Sequence, residues 1–171
     1  EVGGDSYDFL RWGDSLLTSI ADVAGKGVPA AILMSNLQAG LRGQALHPGS
    51  LGRVLAALNE LILASTDPGR FITLAIALVD PRAGTVTYAS AGHNPPLIRR
   101  ADGSIETLTD GGILLGVMPK ATYTETRIPF GPGDVLVLYT DGVVEAIKQE
   151  GVFFGDDRLA DVLRAAGGLG A

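Results

Sequence analysis

Ile20-Ala21-Asp22-Val23-Ala24-Gly25-Lys26-Gly27-Val28-Pro29-Ala30-Ala31 is the stretch on which the reading of the chain turns. The apolar residues Leu16, Leu17 and Ile20 predict a strand that ends at Asp22. Gly25 and Gly27 then mark a turn whose backbone needs positive φ or close approach. Pro29 stands where a helix begins, its fixed φ suited to the first turn. A carboxylate leaving a buried strand ahead of a glycine turn and a helix N-terminus is well placed to hold a cation or a phosphate. Two further turns repeat the theme, Gly3-Gly4-Asp5 upstream and Thr140-Asp141-Gly142 far downstream.

Working outward, Phe9–Trp12 and Ser15–Asp22 read as a hairpin about Gly13-Asp14. Pro29 to about Leu46 carries Leu33, Leu37 and Leu41 at helical spacing, and Ser50 caps a second helix bearing Leu51, Val54, Leu55, Leu58, Leu61 and Ile62. Thr66-Asp67-Pro68-Gly69 ends it. The period then changes. Phe71–Val79 is nearly all apolar, as in a strand covered on both faces, and Thr85–Ser90 alternates. Leu97–Arg100 and Ser104–Leu108 flank a hairpin turn. Thr122–Ile128 reads as a strand and Val135–Tyr139 as a second buried strand. Short helices are expected at Val143–Lys148 and Asp157–Ala166. Strands joined by hairpins around two adjacent helices predict an α+β fold with antiparallel sheets.

The 171 residues suit one domain, and 46% hydrophobic residues suffice for a sizeable core. No apolar run spans a bilayer and none reads as a signal peptide. Glu1-Val2-Gly3-Gly4 reads as the interior of a domain. The absence of cysteine removes disulfides, thiolate zinc sites and cysteine nucleophiles, and is compatible with a reducing cytoplasm. A net charge of −6 without a Lys/Arg run argues against nucleic acid as partner. Hard cations such as Mg²⁺ and Mn²⁺ take oxygen ligands and keep several waters, so a few carboxylates from separate loops are the expected protein share. Asp is also a common turn residue that caps its own backbone, which suffices for any one of Asp5, Asp22 and Asp141 taken alone. Gly25-Lys26-Gly27 is not a nucleotide-binding P-loop, because no Ser or Thr follows Lys26. His93 in Ala91-Gly92-His93-Asn94-Pro95-Pro96 is read as holding a tight turn by hydrogen bonding, in preference to an acid or ligand role.

Together, Val2-Gly3-Gly4-Asp5-Ser6-Tyr7-Asp8, Ala21–Ala31, Phe71-Ile72-Thr73-Leu74, Ala91–Pro96, Tyr139–Ala146 and Phe154–Leu159 resemble, in order, the bacterial SpoIIE/RsbU-type PP2C-like serine/threonine phosphatases. The resemblance implies a PP2C-like β-sandwich of two antiparallel sheets flanked by helices in α-β-β-α layers, with a two-metal Mn²⁺ or Mg²⁺ site at one end. It implies that Asp22 bridges both metals, that the Val23 carbonyl ligates one, that Asp141 binds the other, and that Asp5 acts through water. Asp22 and Asp141 would be the catalytic pair, activating a water against phosphoserine or phosphothreonine. The implied substrate is a phosphorylated STAS-domain anti-anti-sigma factor, with a sensor domain N-terminal in the full-length protein. A homodimer is compatible with this reading, and no nucleic-acid or membrane contact is expected. Two departures stand out. The family's closing Asp-Asp-x-Thr strand and the strand before Val2 are missing, so residues 1–171 are expected to be one domain lacking its first and last strands, with one metal site weak or empty. Ala24 stands where eukaryotic PP2C enzymes carry a His. The competing expectation is a catalytically inactive PP2C-like partner-binding or sensing module in a larger regulatory protein.

Overall fold

The computed structural model describes residues 4–47, 49–66, 69–147 and 151–166. Gly3, the helix-breaking Pro48, Asp67 and Pro68, the expected helix end at Lys148, and 167–171 lie outside them. The chain runs β1 (Ser6–Trp12), β2 (Ser15–Val23), α1 (Val28–Ala45), α2 (Leu51–Ser65), β3 (Ile72–Asp80), β4 (Thr85–Ala91), β5 (Leu97–Arg99) and β6 (Ile105–Thr107). It continues through β7 (Thr126–Pro129), β8 (Val135–Val137), α3 (Asp141–Val144) and α4 (Asp156–Ala165). Both sheets are antiparallel, in the orders β1-β2-β3-β4-β7 and β6-β5-β8.

Alternation along the strands decides the layers. Ile72, Leu74 and Ile76 of β3 point to one side, where they bury against Leu33, Leu37 and Leu41 of α1 and Leu51, Val54, Leu55, Leu58 and Ile62 of α2. Full burial of one such side chain contributes about 1.5–3 kcal/mol, so this ridge-on-sheet contact is the main source of stability. Gly40 lets the two helices approach, since a Cβ there would lie 2.5 Å from Leu61 Cδ2. Ala77, Val86 and Tyr88 face the other way, onto Ile98 and Leu108 of the second sheet. The outer side of that sheet holds Leu97 and Tyr139 against Leu159 of α4. The result is the expected α-β-β-α stack.

Two strands differ from expectation. β7 begins at Thr126 because 122–125 serve α2 instead of a ladder. The Glu125 carboxylate accepts from the Leu51 and Gly52 backbone N–H groups, and the Tyr123 carbonyl packs where a Gly52 Cβ would be, 2.3 Å away. Ser50 completes that cap, its Oγ accepting from Arg53 N at 3.2 Å. β8 is not the buried strand expected over Val135–Tyr139. It ends at Val137 and pairs with β5 alone among the described strands, and Val135 is 44% exposed. Its far edge borders an open apolar groove of about 480 Å³ lined by Tyr7, Phe9, Leu16 and Ile20. No helix of the described residues is long and apolar enough to cross a membrane.

Candidate active site

The ends of β2 and β8 and the turn before β1 meet at one end of the sandwich, and each brings a carboxylate. Asp22 is the penultimate residue of β2, Val23 its last, Asp141 the first residue of α3, and Asp5 immediately precedes β1. Gly25 (φ 114°) and Gly27 (φ 77°) do turn the chain through the left-handed region, and Pro29 lies in the first turn of α1. The turn is tied down by Ala24 N donating to the Phe71 carbonyl at 3.0 Å. The Asp22 side chain lies beside Gly4.

Gly4 is a cradle. A Cβ built there would lie 2.9 Å from Asp22 Oδ1, 3.0 Å from the Val23 carbonyl oxygen and 3.6 Å from the Gly25 carbonyl oxygen. Three hard oxygen donors thus surround a point kept open by the absence of a side chain. Asp22 is half-buried, and its carboxyl is pushed up to about 6. Burial is the largest cause, followed by a hydrogen bond to Asp5 and the charges of Asp5 and Asp141. Like charges gathered without a cation are unfavourable, and they fit the donor chemistry of Mg²⁺ or Mn²⁺. Among the described residues no three Asp, Glu, His or Cys side chains form a group that could by itself hold a metal ion. An open, water-rich hard-cation site does not need one.

Of the predicted site residues, Asp5 and Asp141 both act on the Asp22 carboxylate, and the Val23 carbonyl lies with it beside Gly4. Three partners were not read from the sequence. Thr140 is the N-cap of α3, yet its hydroxyl makes no cap bond and donates to Asp5 Oδ2 at 2.7 Å. The Thr before Asp141-Gly142 was a visible signal for this. The Gly25 carbonyl has no side-chain signature. His93 does more than hold a local turn: it is buried, with Nδ1 2.8 Å from Thr73 Oγ1 and Nε2 3.1 Å from the Tyr139 carbonyl oxygen. His47 and Lys26 are exposed, as expected.

Residues 13–171 match the family model described as Stage II sporulation protein E (SpoIIE). The phosphoserine phosphatase RsbU of Bacillus subtilis is 33% identical over 155 residues, covering 88% of this chain and 45% of that protein. The chain thus spans less than half the length of this curated relative. A crystal structure of the RsbU and RsbW domains of Rv1364c from Mycobacterium tuberculosis superposes with a TM-score of 0.82 at 30% identity, over 98% of this chain and 47% of that one. The SiaA-PP2C domain of Pseudomonas aeruginosa gives a TM-score of 0.82 at 25% identity, over 96% and 66%. With the sheet order, the carboxylate-bearing strand ends and these likenesses in agreement, the chain belongs to the SpoIIE family of PP2C-like phosphatase domains.

Proposed function

We propose that this chain is a divalent-metal-dependent protein serine/threonine phosphatase domain. The observation that carries the reading is that Asp5 and Asp141 both act on Asp22, whose carboxylate lies beside Gly4 with the Val23 carbonyl, and that among the described residues no Lys or Arg is among the groups acting on Asp22. Asp22 and the Val23 carbonyl, with Asp141 and Asp5, are the groups that would hold Mn²⁺ or Mg²⁺. When bound, such ions supply an activated water and neutralise charge on a phosphoryl group. The chain's own residues do the placing: the β2 end holds Asp22, the Thr140 hydroxyl orients Asp5, and Gly4 keeps the approach open. In the reaction the water oxygen forms a bond to phosphorus, the ester P–O bond breaks, and the serine or threonine oxygen leaves with a proton. Ala24 supplies no acid, so that proton comes from water.

The substrate class in this reading is a phosphorylated STAS-domain anti-anti-sigma factor; the name phosphoserine phosphatase carried by the Bacillus subtilis relative supports the phosphoserine part of it. A cytoplasmic location and an N-terminal sensor domain go with that class. The test is Mn²⁺- or Mg²⁺-dependent hydrolysis of p-nitrophenyl phosphate and of a phosphorylated STAS protein, in the wild type and in Asp22→Asn. Metal-dependent turnover lost in Asp22→Asn is expected. Binding of the phosphoprotein without turnover under either metal would replace the enzyme by a partner-binding module.

A further inference from the structure

We propose that His93 is a positioning residue that sets the distance between Asp22 and Asp141 by bridging the two sheets through both ring nitrogens; the proposal rests on the phosphatase reading above. Asp22 lies in β2 of the first sheet, whereas Asp141 opens α3, which follows β8 of the second. β2 pairs with β1 and β3, whereas β8 pairs with β5, so no backbone ladder among the described strands links the two carboxylate-bearing ends. Something else has to hold them in register, because their charges repel and a metal site tolerates only about 0.5 Å of misplacement.

The imidazole spans that gap. Thr73, which holds Nδ1, is the β3 residue directly opposite Asp22 in the ladder. The Tyr139 carbonyl, which holds Nε2, lies two residues before Asp141, and the intervening Thr140 anchors Asp5. The path therefore runs Asp22, Thr73, His93, Tyr139, Asp141, with Asp5 tied in at the end. Its protons follow from the chemistry of the partners. A carbonyl can only accept, so Nε2 carries the hydrogen. In the neutral ring Nδ1 then accepts from the Thr73 hydroxyl, and burial favours that neutral form. The backbone on which the ring is mounted is fixed as well. His93 N donates to Ser90 Oγ at 3.3 Å, and Gly92 takes φ 67° where a Cβ would fall 2.3 Å from Leu114 Cδ2. Both ring nitrogens are thus engaged, one by Thr73 and one by the Tyr139 carbonyl.

The two ring nitrogens make different predictions for two amides. In His93→Gln the terminal amide nitrogen reaches the Nε2 position and still donates to the Tyr139 carbonyl. In His93→Asn the shorter amide reaches only the Nδ1 position, and the inter-sheet bond is lost. Mn²⁺ affinity measured by titration calorimetry, without turnover, should weaken at least about tenfold in His93→Asn, the usual scale for losing a group that orients metal ligands. His93→Gln should stay within about threefold of wild type. Thr73→Val, which keeps the shape and removes the hydroxyl, should fall between them. The kcat for p-nitrophenyl phosphate at saturating Mn²⁺ should follow the same order. Equal Mn²⁺ affinity in wild type and His93→Asn overturns the proposal. So does an equal loss in the Asn and Gln variants that tracks only their melting temperatures, which marks a packing role. If His93→Asn fails to fold, a normal Mn²⁺ affinity in Thr73→Val is the overturning result. Wild type that binds Mn²⁺ but hydrolyses nothing sinks the phosphatase reading while leaving the His93 affinity order to stand; wild type that binds no Mn²⁺ overturns both.

Discussion

The two ends of β8 carry two kinds of carboxylate cluster. At its start, Asp134 and Glu106 surround Arg100, whose Nη1 donates to Asp134 Oδ2 at 2.9 Å and to the Pro129 carbonyl at 2.7 Å, and which also pairs with Glu106. Beyond its other end, Asp141 and Asp5 act on Asp22, with no basic group acting on it among the described residues. The same side-chain chemistry is perturbed in opposite directions. Burial opposes it, but the Gly131 and Ala101 N–H groups and the Arg100 guanidinium hold Asp134 below the ordinary carboxylate range. Burial and neighbouring carboxylates raise Asp22. One cluster is satisfied within the protein and pins the β5–β6 hairpin to the end of β7 and the turn before β8. The other gathers like charges on Asp22.

The contrast breaks most sharply at Asp22. Asp22→Asn should cut Mn²⁺-dependent hydrolysis by on the order of a thousandfold, since several kcal/mol of transition-state stabilisation are at stake and each 1.36 kcal/mol is tenfold. The same substitution should raise the melting temperature of the metal-free protein at pH 7.5, because it removes a disfavoured charge. A fall would show that Asp22 is structural after all. Next in size, Gly4→Ala puts a methyl group against Asp22 Oδ1 and the Val23 carbonyl. The half-saturating Mn²⁺ concentration should rise about tenfold, an effect of about 1.4 kcal/mol, with the fold intact by circular dichroism.

Arg100→Met tests the opposite cluster. It should destabilise the protein by about 1–2 kcal/mol, between the values for exposed and buried pairs, in urea unfolding, and leave kcat unchanged. The smallest effect is the pH dependence of stability. Asp22 has a folded value of about 6 against an ordinary 3.8, so its contribution is full below the lower value and lost as pH rises through the upper one. Asp134 is depressed, so its contribution is present above the ordinary value and lost as pH falls. Melting of metal-free wild type minus Asp22→Asn should therefore decline between pH 4 and pH 7, a range set by those two values. Mn²⁺ should reverse the decline at the upper end, because the ion binds the ionised carboxylate. A flat difference would separate Asp22 from the cluster.

Much of this was legible in the residues. Helix α1 was expected from Pro29 and found from Val28, and α2 follows Ser50 as its cap requires, because amphipathic spacing and capping are local properties. The β1–β2 hairpin and the twice-covered β3 were legible for the same reason. Asp5, Asp22 and Asp141 could be singled out by their glycine turns. Other features were not legible. Val135 is chemically suited to a buried strand, and only the absence of a described neighbour on that edge of β8 leaves it exposed. Residues 122–125 have strand-like composition, yet Glu125 meets the N-terminus of a helix more than seventy residues earlier in the chain. The roles of Thr140 and His93 depend on partners in other elements.

The sequence by itself determined the elements, their order, the apolar faces that become the layers, and the chemical identity of the carboxylate set, because each depends on neighbours within a few residues. Only the tertiary structure decided that Asp5 and Asp141 act on Asp22, that Gly4 leaves room beside the Asp22 and Val23 oxygens, and that His93 spans the two sheets. Those facts arise from sheet packing, which brings together residues more than a hundred positions apart. They also set the Asp22 proton affinity, since burial and charge proximity act through space and not along the chain.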